Sequence, residues 1–285
     1  MRQTAALGRQ RQVLDPVPAP PADEAGAVRP TLAVCIATIG RRLDDLRLER
    51  LRACPGVSYH VFVQRAEEAS EVARARLAQR PDVSVVPVEG CGVARSRNAA
   101  LAGVESDILL FADDDVELLC ENYARLRAVF AEDPGLSCVC GVTLDEAGQP
   151  RKRFSRHMAP LRLWNAAKVG TPEIAVRRAH VARLGLGFDE RFGAGTEWPI
   201  GDEYIFLADL LRHNLTGRHV ALPLAVHPRL SSGMGFDARS LETRRHVFRR
   251  AVGRLWFPYL LAFALKNWAR FPSARTGLSF LRIGC

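Results

Sequence analysis

The chain has 285 residues, of which 48% are hydrophobic and 25% are charged. This composition excludes whole-chain disorder, and the length allows one large domain or two small ones. The formal net charge of +9 lies in residues 239–285, which hold ten lysine or arginine residues and one acidic residue, Glu242. Because residues 1–238 are therefore neutral, the charge excludes a basic surface spread over the whole protein, and we expect no nucleic-acid partner.

The first residues of the chain lack the features of a folded segment. Residues 1–29 are rich in proline, alanine, arginine and glutamine and show no hydrophobic period, so we predict a disordered leader. They contain no apolar stretch typical of a secretory signal. The longest dense apolar run, 255–265, is shorter than the roughly 20 residues that a membrane-spanning helix needs. We therefore expect a cytoplasmic protein, with the inner face of the plasma membrane as the alternative location.

Short apolar runs alternate with segments of helical period along the middle of the chain. Strands are predicted at 32–37, 59–63, 83–88, 108–112 and 136–142. Helices are predicted at 43–51, 67–79, 93–103, 121–132 and 203–213. This alternation predicts an open, mostly parallel α/β sheet with helices on both faces, in which ligands bind beyond the carboxyl ends of the strands.

Three adjacent aspartates, Asp113, Asp114 and Asp115, follow the predicted strand at 108–112. Neighbouring carboxylates repel one another, and a bound cation relieves that repulsion. Because residues i and i+2 of a strand point to the same side, we expect Asp113 and Asp115 to converge on one Mg²⁺ or Mn²⁺. A solvated acidic loop, or a cap for the following helix, is the alternative interpretation.

Several segments carry a resemblance to a known family. Residues 92–101 read GVARSRNAAL, residues 106–115 read SDILLFADDD, and residues 33–41 read AVCIATIGR. Residues 193–197 read GAGTE, and residues 201–207 read GDEYIFL. Together they resemble the family 2 glycosyltransferases of GT-A fold: the helix with Arg-Asn, the strand with its Asp-x-Asp motif, the first strand with its nucleotide-facing loop, and the acceptor-side acidic segment.

The resemblance covers roughly residues 31–235 and implies a GT-A domain at 30–238, followed by a basic amphipathic helical extension at 239–285. It implies a metal-dependent, inverting transfer of a sugar from a nucleotide-sugar donor to a hydroxyl of a glycan or lipid-linked acceptor. A role in surface polysaccharide or glycan synthesis is likewise what the resemblance implies.

Residue roles follow from the resemblance position by position. Glu203 takes the place of the catalytic base, and Asp202 is the alternative, because the family order Glu-Asp is reversed here. Contacts with the nucleotide sugar are implied for Thr38, Arg41, Arg97, Asp113 and Asp114. The metal would be held by Asp113 and Asp115. The acceptor side would include Thr196, Glu197 and Trp198; for Trp198, a place in the core is the alternative.

One position departs from the family pattern. After the second strand the family has an aspartate that contacts the nucleobase, whereas this chain has Gln64. An amide can still form hydrogen bonds with a base, so Gln64 is kept as a nucleotide-binding candidate. The change leaves the identity of the nucleotide open.

Two further features allow more than one interpretation. His227 follows the apolar run 220–226 and is a candidate for contact with the metal or the pyrophosphate, although a single histidine has many structural uses. Segment 244–270 combines arginines with tryptophan and phenylalanine. This combination predicts either an interfacial helix on an anionic membrane or a helix packed on the domain.

Two rival functions remain. A catalytically degenerate, membrane-associated scaffold that keeps the fold is favoured by Gln64 and disfavoured by the intact acidic residues. A sugar-phosphate nucleotidyltransferase uses a similar sheet and metal. It would need a longer glycine-rich loop with basic residues than residues 38–41 provide.

Overall fold

A computed structural model describes residues 29–46, 51–152, 157–227 and 235–282. The predicted leader at 1–29 lies outside the described residues, apart from Arg29. The strands are β1 (Leu32–Ile39), β2 (Val57–Gln64), β3 (Val83–Val88), β4 (Ile108–Asp113), β5 (Glu117–Leu118), β6 (Leu136–Leu144), β7 (Ala159–Pro160), β8 (Ile174–Arg177) and β9 (Thr216–Val226). The α-helices are α1 (Glu71–Ala78), α2 (Val93–Gly103), α3 (Tyr123–Glu132), α4 (Leu163–Ala166), α5 (Arg178–Ala182), α6 (Asp202–Arg212), α7 (Ala238–Val252), α8 (Trp256–Lys266) and α9 (Ala274–Leu281).

The described strands form one mixed sheet in the order β3-β2-β1-β4-β8-β6-β9-β5, with β7 paired to β9. Strands β3, β2, β1 and β4 are mutually parallel, as predicted. Beyond β4 the prediction of a mostly parallel sheet is wrong, because β8 runs antiparallel to both β4 and β6. Strand β8 enters between them after the turn at Thr171–Glu173, which carries site residues described below.

The sheet is covered on both faces, which explains why its central strands are continuous apolar runs. In β4, Leu109 and Phe111 pack with α2 and α6, whereas Ile108 and Leu110 pack in the other layer with α1 and α3. The period of two then directs the side chain of Asp113 toward the layer of α2 and α6.

The register brings the carboxyl ends of the parallel strands together. Ile39 pairs with Gln64, and Ala37 pairs with Asp113. The chain passes from β1 to β2 on one side and returns from β3 to β4 on the other, so the strand order reverses at β1. This reversal opens a crevice at the end of β1 and β4, where open α/β sheets bind ligands.

Two helix predictions need correction near the amino end of the sheet. The helix predicted at 43–51 is a 3₁₀ turn, Gly40–Leu43, in its described part, and residues 47–50 lie outside the described residues. The helix predicted at 67–79 is shorter, Glu71–Ala78, because Ser70 caps it through a hydrogen bond from the Ala73 amide.

The C-terminal extension consists of α7, α8 and α9. Helix α7 packs against α6 through Leu241, Val247 and Phe248, which belong to the same core layer as α2 and α6. The extension therefore contacts the domain. No helix within the described ranges is both long and apolar enough to cross a bilayer.

Candidate active site

A cavity of about 1010 Å³ opens at the carboxyl ends of β1, β2 and β4 and extends toward α6 and α7. Most of the residues singled out in the sequence line it: Thr38, Gln64, Arg97, Asp113, Asp114, Asp115, Asp202, Glu203 and His227. Strand ends and the start of one helix thus bring together groups that are up to 189 positions apart in the sequence.

Asp114 connects the end of β4 to the loop after β1. Its Oδ2 accepts a hydrogen bond from the Thr38 hydroxyl at 2.5 Å, and its Oδ1 pairs with the Arg42 guanidinium. Burial raises the pKa of Asp114, while Thr38 and Arg42 oppose that rise. The predicted Arg41 is exposed and does not line the cavity; its neighbour Arg42 does.

Arg97, from the first half of α2, is the centre of the site. Its side chain is buried, and Nη2 lies 3.2 Å from Asp113 Oδ1. The same nitrogen donates to the Thr171 hydroxyl at 2.5 Å, and Nη1 pairs with Asp202. Nη1 also lies 3.7 Å from Glu203 Oε1. A single cation therefore links the acidic end of β4 to the acidic start of α6.

The two acidic residues at the start of α6 have different environments. Asp202 retains 3% of its side-chain exposure, whereas Glu203 retains 21%. Burial and the Glu203 charge raise the pKa of Asp202, against the effect of Arg97. Burial also acts to raise the pKa of Glu203, but the Arg97 charge and the hydrogen bond from Thr171 lower it overall. Glu203 is thus the ionised carboxylate that faces the cavity.

Gly201 makes this helix start feasible. It adopts φ +93°, and a Cβ built there would lie 2.5 Å from Val247 Cγ2 of α7. Only glycine adopts this conformation at such a close approach without strain. The sequence GDE therefore sets α6 directly against the C-terminal extension.

Gln64 lines the cavity, but its amide is largely occupied by the protein. Nε2 donates to the Gly92 carbonyl at 2.6 Å and to Ser96 Oγ at 3.2 Å, and Oε1 accepts from the Gly92 amide at 3.1 Å. Both amide hydrogens are therefore used. The hydrogen-bonding capacity left for a nucleobase is one lone pair on Oε1.

The candidate metal ligands do not form one closed cluster. Asp115 Oδ1 lies 3.5 Å from His227 Nε2, whereas the Asp113 carboxylate contacts Arg97. Strand β4 ends at Asp113, so the strand alternation that would have aligned Asp113 with Asp115 stops there. Within residues 29–46, 51–152, 157–227 and 235–282, no three histidine, cysteine or acidic residues are arranged to hold a metal by themselves.

The Asp115 and His227 pair nevertheless suits a divalent cation by its chemistry. A carboxylate and an imidazole are ligands that Mn²⁺ accepts, and Mg²⁺ takes one or two carboxylates together with waters and substrate phosphates. Asp115 is about half exposed to the cavity, so its carboxylate is accessible to an ion shared with a ligand.

The three predicted acceptor residues do not line the cavity themselves. Thr196 Oγ1 lies 2.8 Å from the Gly193 carbonyl, and the Trp198 ring stacks on His246 with 3.8 Å between centroids. Glu197 is exposed. The loop instead lines the cavity through Ala194, Gly195, Pro199 and Ile200.

Sequence reasoning missed several residues that line the cavity: Lys152, Lys168, Thr171, Tyr204, Arg244, Val247, Phe248 and Phe263. The rarity of lysine was an available signal, because only three of the 40 basic residues are lysines. Thr171 had no such signal, since its role depends on a turn that enters the sheet from outside the matched motifs.

The extension is fixed to the domain by ion pairs. Arg250 of α7 lies 2.8 Å from Asp189 and pairs with both oxygens of Asp209 in α6, at 3.0 and 2.8 Å. Of the two interpretations of segment 244–270, packing on the domain is thus observed for α7. This packing does not test membrane binding by the exposed face of the extension.

No protein-family model matches the chain, and no curated protein matches it in sequence. Its structure is similar to solved structures of low sequence identity. Residues 1–349 of TarS from S. aureus in complex with UDP align with a TM-score of 0.62 at 15% identity, over 86% of this chain and 73% of that one. The same protein in complex with UDP-GlcNAc also gives 0.62 at 15% identity, over 89% and 76%.

A second protein has a similar structure. The mannosyltransferase PcManGT from Pyrobaculum calidifontis, in complex with GDP-Man and Mn²⁺, aligns with a TM-score of 0.57 at 18% identity. The alignment covers 94% of this chain and 81% of that one. These similarities, together with the mixed sheet and the position of its cavity, show that the chain has the GT-A fold with a helical C-terminal extension.

Proposed function

We propose that the protein is a glycosyltransferase that moves a sugar from a nucleotide-sugar donor to a hydroxyl acceptor, with inversion at the anomeric carbon. One observation carries the proposal. The aspartates at the end of β4 and the ionised Glu203 at the start of α6 line the same cavity, and Arg97 connects them. The similarity to structures that contain UDP, UDP-GlcNAc and GDP-Man supports a nucleotide-sugar donor.

The donor would bind at the β1 and β4 end of the cavity. Thr38 and Asp114 shape that end through their mutual hydrogen bond, and Gln64 holds the Gly92 loop beside it. Asp115 and His227 would hold Mg²⁺ or Mn²⁺, with Asp113 nearby, and Mn²⁺ in the structure of PcManGT supports this assignment. The metal supplies Lewis-acid stabilisation to the diphosphate leaving group.

Glu203 would act as the general base. Its ionised carboxylate accepts the proton of the acceptor hydroxyl as that oxygen forms a bond to the anomeric carbon. The bond between the anomeric carbon and the phosphate oxygen breaks, and the nucleoside diphosphate leaves with the electron pair. A positioned base of this kind contributes about 10²–10⁴-fold to the rate.

Asp202 is better suited to a supporting role. It is almost completely buried, and its carboxyl group pairs with Arg97. Its raised pKa gives Asp202 less anionic character than Glu203, although desolvation also makes it the stronger base once it is ionised. We therefore assign the base to Glu203 and keep Asp202 as the alternative.

The finer assignments are also proposals. We place the protein in family 2, in surface polysaccharide or glycan synthesis, and on the cytoplasmic side of the membrane. Membrane contact through the extension is supported by the exposed side chains of Leu255, Leu261, Leu265, Trp268 and Leu278, which lie among basic residues.

A scaffold that has lost catalysis is the second candidate. It is favoured by the use of the Gln64 amide for holding the Gly92 loop, which leaves little capacity for reading a base. A scaffold would retain the fold and bind no nucleotide sugar.

The first experiment is a thermal-shift screen against UDP, GDP, dTDP and CDP, each with and without Mn²⁺. We expect a metal-dependent rise in Tm with one nucleotide, because a ligand that binds the native state stabilises it. The rise should be lost in Asp115→Asn and kept in the control Glu132→Gln, which removes an exposed carboxylate at the end of α3. Absence of any shift in a folded protein would favour the scaffold.

A further inference from the structure

A group of lysines lies on the wall of the cavity beyond Glu203. The chain contains only three lysines among 40 basic residues, and two of them, Lys152 and Lys168, line the cavity. Burial lowers the pKa of Lys168, with smaller lowering effects from Lys266 and Lys152, against the opposing charge of Glu173. The ammonium groups are therefore close enough to repel one another.

One buried carboxylate serves this group. Lys152 Nζ lies 3.7 Å from Glu173 Oε2, and the same oxygen accepts the Gly170 amide at 2.9 Å. The other oxygen, Glu173 Oε1, has no hydrogen-bond partner among the described residues. Arg151 lines the same stretch. The basic groups named here therefore outnumber the acidic ones, and the wall is electropositive.

A chain of contacts locates this wall relative to the reacting groups. Asp113 contacts Arg97, Arg97 contacts Glu203, and Glu203 accepts a hydrogen bond from Thr171. Thr171 begins the turn that ends at Glu173, beside Lys152. The lysines thus follow the base in this chain of contacts, whereas the aspartates of the donor end precede it.

Tyr204 supplies a second, independent sign of a ligand. It lines the cavity and is 5% exposed. Its phenolic oxygen is buried and has no hydrogen-bond partner among the described residues. A buried hydroxyl without a partner is costly, and a ligand group in the cavity would satisfy it.

The C-terminal extension adds apolar surface to the same wall. Val247 and Phe248 of α7 and Phe263 of α8 line the cavity. The guanidinium of Arg244 lies over the Phe236 and Phe263 rings, 5.2 and 5.6 Å from their centroids. This part of the cavity therefore offers both cationic and apolar contacts.

Resting on the proposed function, we propose that this wall binds a phosphate or phosphodiester group of the acceptor, placed near the hydroxyl that Glu203 deprotonates. Lysine ammonium groups bind phosphate as compact point charges with freely rotating donors. The Tyr204 hydroxyl adds a neutral donor. The apolar wall would accommodate a hydrocarbon portion where the phosphate belongs to a lipid, and a water-soluble phosphodiester polymer would use the cationic groups alone.

The test is calorimetric titration of the full chain, with its nucleotide site saturated by the nucleotide and Mn²⁺ that give a thermal shift. Farnesyl phosphate, glycerol 3-phosphate and uncharged farnesol are the probes. We expect both phosphates to bind, and Lys152→Gln and Lys168→Gln each to weaken that binding about tenfold, as for a lost hydrogen bond to a charged group. Arg183→Gln removes an exposed charge outside the cavity and should change nothing.

The arms distinguish the sources of the phosphate. Tighter binding of farnesyl phosphate than of glycerol 3-phosphate supports a lipid-linked acceptor, and equal binding supports a soluble phosphodiester acceptor. Unchanged phosphate affinity in both lysine variants overturns the proposal. So does a loss of nucleotide affinity in those variants without a loss of phosphate affinity, because the lysines would then belong to the donor site.

Failure of the proposed function is seen separately. If no nucleotide shifts the Tm, the same titrations are run on the protein without nucleotide. Phosphate binding that depends on Lys152 but not on Asp115 then still supports an anion site on this wall, whereas binding that depends on neither residue overturns it.

Discussion

The Thr171 hydroxyl donates a hydrogen bond to Glu203 Oε1 at 2.7 Å and accepts one from Arg97 Nη2 at 2.5 Å. The direction of both bonds is fixed, because a guanidinium can only donate. The single proton of Thr171 therefore points to Glu203 and orients one carboxylate oxygen. Thr171 acts on the proposed base through this contact and is a positioning residue.

Replacement of Thr171 by valine should lower kcat about 10–100-fold, with little change in nucleotide affinity. A hydrogen bond to a charged group is worth about 1.5–3 kcal/mol. Because Thr171 helps to lower the pKa of Glu203, its removal should also move the acidic limb of the kcat–pH profile to higher pH. Thr171→Ser keeps the hydroxyl and should restore both properties. Equal loss in the serine and valine variants would show that only the shape of the side chain matters.

Glu203→Gln should lower kcat by about 10²–10⁴-fold while nucleotide binding, followed by thermal shift, stays unchanged. Asp202→Asn should have a smaller effect, because asparagine keeps the shape of a buried side chain whose pKa is already raised. The measurement is initial-rate kinetics on both variants at the same pH. A larger loss in Asp202→Asn than in Glu203→Gln would transfer the role of base to Asp202.

Removal of the His227 imidazole, as in His227→Ala, should weaken Mn²⁺ binding in the presence of nucleotide. The reason is that His227 Nε2 and Asp115 Oδ1 are the candidate ligands closest to each other, at 3.5 Å. Free Mn²⁺ is measured by its electron paramagnetic resonance signal, which needs no turnover. Asp114→Asn is the contrasting variant. Its carboxylate is occupied by Thr38 and Arg42, so we expect a lower Tm and a smaller effect on Mn²⁺. Equal Mn²⁺ affinity in His227→Ala and wild type would remove His227 from the ligand set.

The parallel half of the fold could be predicted from sequence because each of its strands is a local apolar run with a period that sequence shows. Asp113 and Glu203 were found because they lie directly after such local signals, a strand end and a helix start. The antiparallel entry of β8 could not be predicted in this way, since the pairing of β8 with β4 and β6 is set by tertiary contacts.

The same distinction holds within the site. Arg41 was selected over Arg42 because the matched motif ends there, and only the geometry of the 3₁₀ turn places Arg42 against Asp114. Thr171 and Lys152 belong to segments without a motif and reach the cavity through the fold. The aspartate triplet was expected to converge through strand alternation, which ends one residue too early.

Arg250→Gln should destabilise the protein by about 2 kcal/mol, measured by urea unfolding at pH 7. The substitution leaves Asp189 and Asp209, both largely buried, with one arginine partner each, Arg191 and Arg212. Arg254→Gln, which removes an exposed charge from the same extension, should have little effect.

The effect of Arg250 should depend on pH in a defined direction. Hydrogen bonds from Arg191 and Arg250 lower the pKa of Asp189 to about 2, against the effect of burial. A carboxyl group with a lowered pKa stabilises the fold above its unfolded pKa, near 4, and this stabilisation disappears as the pH falls toward 2. The stability difference between wild type and Arg250→Gln should therefore narrow between pH 4 and pH 2. A difference that stays constant over this range would show that Arg250 stabilises α7 through packing rather than through Asp189.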